Sequence, residues 1–461
     1  MIAALVESAI TRRRWILPAV VFSFVLAAQL WLVAAAGNDI PFYDQWGVEG
    51  SWLYPAWRTG QLGLLDLFRL HNEHRIFWTH LLNLGLFELN GQWDPLVQIG
   101  VGAGVHALVA ATLTTFLTKS LTPGRAYLVV GAIAVVCLPI AGWHNALWGF
   151  QSQVYFSILF GVPALAWLPR VETRWRGAVC AVAAMLAMGS GGLLPLALLV
   201  LLGLRLVESR PPCAEWKTEL VVLLVFLVGI LAGQSEAGHG APLQAASMSD
   251  FFGAWLRLLA WPHAERPLAS LVMNLPLALV VGGRLAGRRR SVAGENLAVA
   301  LGLWAVIIAA AAAWRRGGGE ELSNGVPSRY VDFLVLLLLA NFWCLLQLAA
   351  ESQRRIRLAA FVWAFFVLIG WSGFSVEMWQ RVVRPLAIRR EQSAQLMRNF
   401  QQTRDPAVFA GQPRLLVPHP TLGSMEVVLD DPRMNGALPP SLQPEKPMGP
   451  LSRGVRWLLR R

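Results

Sequence analysis

Apolar residues gather along this chain in long runs separated by short polar stretches. A run of roughly 20 such residues matches a helix that spans the hydrocarbon core of a bilayer, where every backbone polar group must be satisfied without water. The runs predict helices near 15–36, 94–117, 126–142, 154–168, 178–206, 219–234, 268–284, 295–314, 329–349 and 357–375. The run 178–206 is too long for one span and is interrupted by Gly189-Ser190-Gly191-Gly192 and Pro195. It reads as a hairpin of two short helices, because irregular backbone at membrane depth is tolerated where it is buried in protein or lines a cavity. The expected fold is all-α. It is a polytopic transmembrane bundle over residues 1–375 with about 10–12 crossings, and about eleven with the hairpin.

Composition removes the soluble alternative. Only 14% of the residues are charged, against about 25% in a soluble domain. The net charge of +12 does not point to nucleic acid, since the arginines cluster between apolar runs as the positive-inside bias requires. Arg12, Arg13 and Arg14 place the N-terminus in the cytoplasm, and the following run is too long for a signal-peptide core, so it is expected to stay as an anchor. With the hairpin, Arg288-Arg289-Arg290 and Arg354-Arg355 fall on the cytoplasmic side, and the loops 37–93, 143–153, 235–267 and 314–328 fall outside. The C-terminus is then external, which Arg381, Arg384, Arg389 and Arg390 oppose. Cys137, Cys180, Cys213 and Cys344 lie outside those loops, and no disulfide is expected.

Residues 376–461 are a different material. They open on an expected amphipathic helix through Phe400 and continue rich in Pro and Arg, with little apolar periodicity. A small, membrane-associated and partly disordered C-terminal region is expected.

The external loops concentrate the candidate chemistry. The first contains Tyr43-Asp44-Gln45-Trp46 shortly after the first membrane helix. A carboxylate there, ringed by aromatics, can take a proton from a sugar hydroxyl as a general base. It can equally cap a helix starting at Gln45. Asp39 and Glu49 are the nearest other acids. His71-Asn72-Glu73-His74-Arg75 is denser, with two histidines that would share one helical face. Substrate or phosphate contact, metal binding with Glu73, and an interfacial turn anchored by Phe77 and Trp78 all fit it. The spacing is not HExxH, so neither a metal nor a cofactor is expected. Loop 143–153 sets His144, Asn145 and Gln151 among Trp143, Trp148 and Phe150, which suits stacking on sugar rings and also an interfacial aromatic belt. The late loop carries Arg315-Arg316 and then Ser328-Arg329-Tyr330 at a helix start, a good site for a lipid phosphate or for snorkelling arginines.

These motifs resemble the GT-C class of integral membrane glycosyltransferases. The stretch Tyr43-Asp44-Gln45-Trp46 is similar to that class's catalytic acid in its first extracytoplasmic loop. Ser328-Arg329-Tyr330 is similar to its later elements that hold the lipid phosphate. Many members carry two adjacent acids, whereas Gln45 follows Asp44 here. The resemblance covers most of residues 1–375. It implies a multi-pass enzyme of a bacterial-type plasma membrane with an extracytoplasmic active site. A polyprenyl-phosphate-linked sugar would be the donor, held by Arg315, Arg316, Arg329 and Tyr330. Asp44 would be the base, and a lipid, glycan or protein the acceptor. Tyr43, Trp46, Glu49, His71, Glu73, His74, Arg75, His144, Asn145 and Gln151 would contact substrate. The rival readings are a transporter or flippase of a lipid-linked or small anionic substrate, using the broken helix 178–206, and a surface-polysaccharide polymerase or ligase. Helix centres nearly free of ionisable groups favour the enzyme over the transporter.

Overall fold

Helices begin and end where the chain supplies the chemistry for it. The computed structural model describes residues 2–459 except 73, 210–212, 233–242 and 351–353. Helix Pro95–Thr118 starts behind Asp94, whose carboxylate accepts the Leu96 N–H at 2.9 Å, and Pro95 needs no N–H in the first turn. Helix Phe77–Asn90 stops at Gly91, which takes the left-handed conformation (φ 66°) that closes a helix.

A helix lies on each expected apolar run, and the chain is 77% helical with almost no strand. Among the described residues six helices are long and apolar enough to cross a bilayer: Trp15–Ala36, Pro95–Thr118, Gly191–Glu208, Glu295–Arg316, Ser328–Ala350 and Arg354–Ile388. Pro123–Val136 and Ala269–Leu285 are apolar but shorter. By length and composition, then, the described residues support a helical membrane bundle but not a count of eleven crossings.

Backbone groups inside the bundle find partners as a dry interior demands. Pro276 interrupts helix Ala269–Leu285 and cannot bond the carbonyl of Val272 four residues earlier. The Trp363 indole N–H donates to that carbonyl at 2.9 Å, and Asn341 Oδ1 accepts the displaced Leu277 N–H at 3.0 Å. Neighbouring helices thus restore what the proline removes.

Ion pairs gather at one end of the bundle. Arg205 bonds Glu219 at 2.8 Å, and Arg174 reaches the same carboxylate at 3.8 Å. Arg284, fully buried, pairs with Glu208 at 2.8 Å and Glu295 at 3.6 Å, and Arg289 with Glu295 at 2.7 Å. Arg174 opens helix Arg174–Met185, whereas Arg205 lies near the end of helix Leu194–Ser209. Both reach Glu219, so the chain turns back between them, at the glycine-rich break.

A second hydrophobic core lies at the opposite end. Trp46, Tyr54, Phe87 and Trp93 of the 37–93 loop pack with Met397, Phe400, Met425, Val428 and Met434. Residues 376–459 were expected to be partly disordered. They instead fold as short helices and turns onto that loop. Arg456 clamps the union, pairing with Asp39 at 2.8 Å and Asp94 at 2.5 Å, while Ser441 donates to Asp39 from its N–H (3.0 Å) and hydroxyl (2.6 Å). The tail's apolar residues come in twos and threes from short helices, Ala394, Met397 and Phe400 from one and Met425 and Val428 from another, too short to give a sustained period along the chain.

Candidate functional site

A cavity of about 1660 Å³ opens at the loop end of the bundle. All four long polar loops and the glycine-rich break contribute to its lining. Tyr43 adopts φ 46°, a left-handed conformation costing a non-glycine residue about 1–2 kcal/mol. Its N–H donates to Pro418 O at 2.7 Å, so the folded tail holds that turn. Asp44 follows it into the cavity wall. A π-helical turn Gln45–Leu53 does begin there, but the Asp44 side chain makes no capping bond, leaving its carboxylate free for the cavity and for His71 Nε2 at 3.5 Å.

His71 and His74 do not share a helical face. They are directly opposed residues of a two-stranded antiparallel hairpin, β1 Leu70–His71 and β2 His74–Arg75, turned by Asn72 at φ 50°. Opposed residues point to one side of a hairpin, and both histidines line the cavity. Glu73 lies outside the described residues. His74 abuts the glycine-rich break, where a Cβ on Gly189 would lie 2.5 Å from the His74 ring nitrogen.

The second loop supplies an aromatic wall. The His144 ring is stacked between Trp143 and Trp148, with centroids 4.9 and 5.0 Å away. Burial, with Arg329 adding to it, lowers its pKa to about 3, so the ring is neutral at ordinary pH. Trp148 and Gln153 line the cavity, and the structure gives the Trp148 indole N–H and the Gln153 amide oxygen no hydrogen-bond partner. An unpaired donor and an unpaired acceptor beside one cavity suit hydroxyl groups.

The late loop is stitched to that wall. Ser328 Oγ donates to Ala141 O at 2.8 Å and accepts the His144 N–H at 3.2 Å. Asn145 Nδ2 donates to Arg329 O at 3.1 Å and to Asp332 Oδ2 at 2.6 Å. Arg329 lies over the Tyr330 ring and pairs with Glu321 at 2.5 Å. Arg315 and Arg316 line the same cavity.

No family model and no curated protein matches the chain. The site therefore rests on its geometry. That geometry brings Tyr43, Asp44, His71, His74, His144, Gln151, Arg315, Arg316, Arg329 and Tyr330 to one cavity. It leaves four expected contacts out. Trp46 is fully buried with its indole on Pro41 O at 2.8 Å. Glu49 is buried in the second core, Arg75 turns to Phe68 O at 3.3 Å, and Asn145 braces the loop from behind. Among the described residues no three His, Cys, Asp or Glu side chains are grouped to hold a metal ion.

Sequence reasoning missed other groups. Glu321 and Arg414 line the cavity, the latter from the tail, where no pattern marked it. It also missed a buried polar chain. His106, midway along helix Pro95–Thr118, sits 3.8 Å from Asp332 and 3.1 Å from Gln29, and stacks on Tyr155. His106 is an ionisable group at a helix centre that the apolar runs did not mark, whereas Asp332 lies in the first turn of helix Val331–Ala350 and Gln29 does not ionise.

Proposed function

We propose that the protein is a membrane glycosyltransferase that moves a sugar from a lipid-phosphate donor to a hydroxyl acceptor, with Asp44 as general base. One observation carries this reading. A single cavity joins a carboxylate, arginines and an aromatic wall to an apolar flank formed by Ile308, Ala312, Phe333, Phe366 and Ile369. A ligand that is anionic and polyhydroxylated at one end and hydrocarbon at the other matches that division. The volume exceeds the ~300–1,000 Å³ of common small-ligand sites, which suits a donor and an acceptor together.

In this mechanism the acceptor oxygen attacks the anomeric carbon, its proton passes to Asp44, and the carbon–oxygen bond to the lipid phosphate breaks. The electron pair leaves on the phosphate, which the arginines stabilise. The phosphate is a good leaving group and needs little acid assistance. Asp39 and Glu49 are poor rivals for the base, since one holds the tail and the other is buried away from the cavity. Asp44→Asn keeps shape but cannot take the proton. Turnover should drop by roughly 10²–10⁴, with donor affinity within about twofold of wild type. Full turnover in that variant, measured as lipid phosphate released by purified protein, removes Asp44 as the base.

A transport reading draws on the His106–Asp332 pair, since ionisable groups buried within a bundle often mark translocation paths. Proteoliposomes decide between the two. The enzyme reading expects sugar transfer without net movement of labelled donor between leaflets, and the transport reading expects the reverse.

A further inference from the structure

Arg329, at the end of the late loop, and Arg414, in the C-terminal tail, line the cavity together with Glu321. Arg329 opens the helix beneath the late loop, and its guanidinium meets Glu321 at 2.5 Å. Arg414 belongs to the tail, where its Nε donates to the Tyr43 hydroxyl at 3.3 Å, one residue from Asp44. Glu321 feels both cations. Burial would raise its pKa, but Arg329, with Arg414 contributing, holds it below its ordinary value. A carboxylate paired with one guanidinium, on a cavity wall that a second also lines, is what a phosphoryl group in the same place would look like to Arg329. Glu321 is also the more exposed partner, its side chain 52% accessible against 27% for Arg329. It stands on the short helix Glu320–Ser323, with Gly317, Gly318 and Gly319 before it and Gly325, at φ 159°, after it. Leu322 is buried in the main core and its carbonyl accepts from Arg257, so the displacement is a swing of the Glu321 side chain and not of the segment.

We propose that Glu321 is an internal stand-in for the ligand's phosphoryl group: it occupies an anion site shared by Arg329 and the tail residue Arg414, and a bound phosphate displaces it. This rests on the lipid-phosphate reading above and adds two residues to it, one that competes with the ligand and one that binds it. Glu321 would keep the arginine fork ordered while the site is empty, and would reject ligands whose head is neutral.

The test is equilibrium binding of a C55 polyprenyl phosphate to the full-length protein in nanodiscs, with inorganic pyrophosphate as a parallel probe without the lipid. An ion pair this exposed is weak, so a ligand displaces it at modest cost. Glu321→Gln, which keeps the shape and removes the charge, should tighten binding about three- to tenfold. The gain should vanish when Arg329 is also changed to Ala. Arg414→Ala should weaken binding about threefold or more while Tyr43→Phe, which removes only the tethering hydroxyl, has a smaller effect. If the gain appears with pyrophosphate and not with the lipid, the anion is a soluble one and the site stands. Melting temperatures within a few degrees of wild type show that each variant is folded. Unchanged or weaker binding in folded Glu321→Gln overturns the proposal, and unchanged binding in Arg414→Ala overturns the tail's part in it. Because the readout is binding, it is independent of Asp44. No release of lipid phosphate by the wild-type protein, beside tighter binding in Glu321→Gln, would defeat the enzyme reading and keep the anion site.

Discussion

Glu49 accepts hydrogen bonds from Asn83, Trp93, Gln98, Gln45 and Tyr54. Its burial nevertheless outweighs those donors and raises its pKa above the ordinary 4.5. A carboxyl whose folded pKa exceeds its unfolded one stabilises the fold fully below the unfolded value, and loses that contribution as pH rises through the folded value. Glu49→Gln removes this titration and turns an amide N–H₂ toward donors that need an acceptor. It should cost roughly 1–3 kcal/mol, seen as a lower melting temperature. The gap to wild type should be widest near pH 4.5 and narrow above it, with ligand affinity unchanged. A gap that widens with pH would mean that Glu49 is held ionised. Along the chain Asp39, Asp44 and Glu49 look alike, three acids beside one membrane helix. What separates them is burial and partners supplied by Asn83, Trp93, Ser441 and Arg456, none of which is near them in sequence. Asp44 was legible as a candidate, but its distinction from its neighbours was not.

At the scale of elements, the glycine-rich break shows what sequence carries well. Four residues, Gly189 to Gly192, interrupt an apolar run, and the structure breaks the helix there because side chains do not fit. A Cβ on Gly191 would lie 2.0 Å from Ala184 O, which is backbone and cannot move aside. Gly189 faces only the His74 ring, which can shift. The two substitutions should therefore part company. Gly191→Ala should destabilise by about 1–3 kcal/mol, as overpacking does, and lower both melting temperature and yield. Gly189→Ala should melt nearly as wild type yet lose on the order of tenfold in turnover, through a displaced His74. Equal melting loss in both would place Gly189 in the packing and not at the site. The His71–His74 hairpin was illegible by comparison. A two-residue turn between two-residue strands leaves no period to read, and a spacing of three suggested a helix by default.

The whole molecule has two unlike ends, and their separation is the largest consequence of the arginine pattern. Arg174, Arg205, Arg284 and Arg289 lie with their carboxylate partners at one end. The cavity, the 37–93 loop and the tail share the other. The tail's arginines at 381–390 suggested the opposite placement, and charge alone could not resolve it. The contacts do, because Trp93 N donates to Ala437 O at 2.8 Å and Arg456 bridges Asp39 and Asp94. Loop and tail must therefore be on one side of any membrane the bundle crosses. Which side rests on Arg12 to Arg14, and single cysteines in a protein freed of its own four will settle it. Gln61, Glu445 and Arg288 are all exposed; Gly60, at φ 67°, would be strained by a side chain. In intact cells Gln61→Cys and Glu445→Cys should react with a membrane-impermeant thiol reagent, and Arg288→Cys only after lysis. The reverse pattern would turn the protein over and put the cavity in the cytoplasm, where a lipid-linked donor would be met before it is flipped. Gln61→Cys and Glu445→Cys reacting from different sides would break the shared core of Trp46, Phe400 and Val428. Arg414 would then have no place at the site.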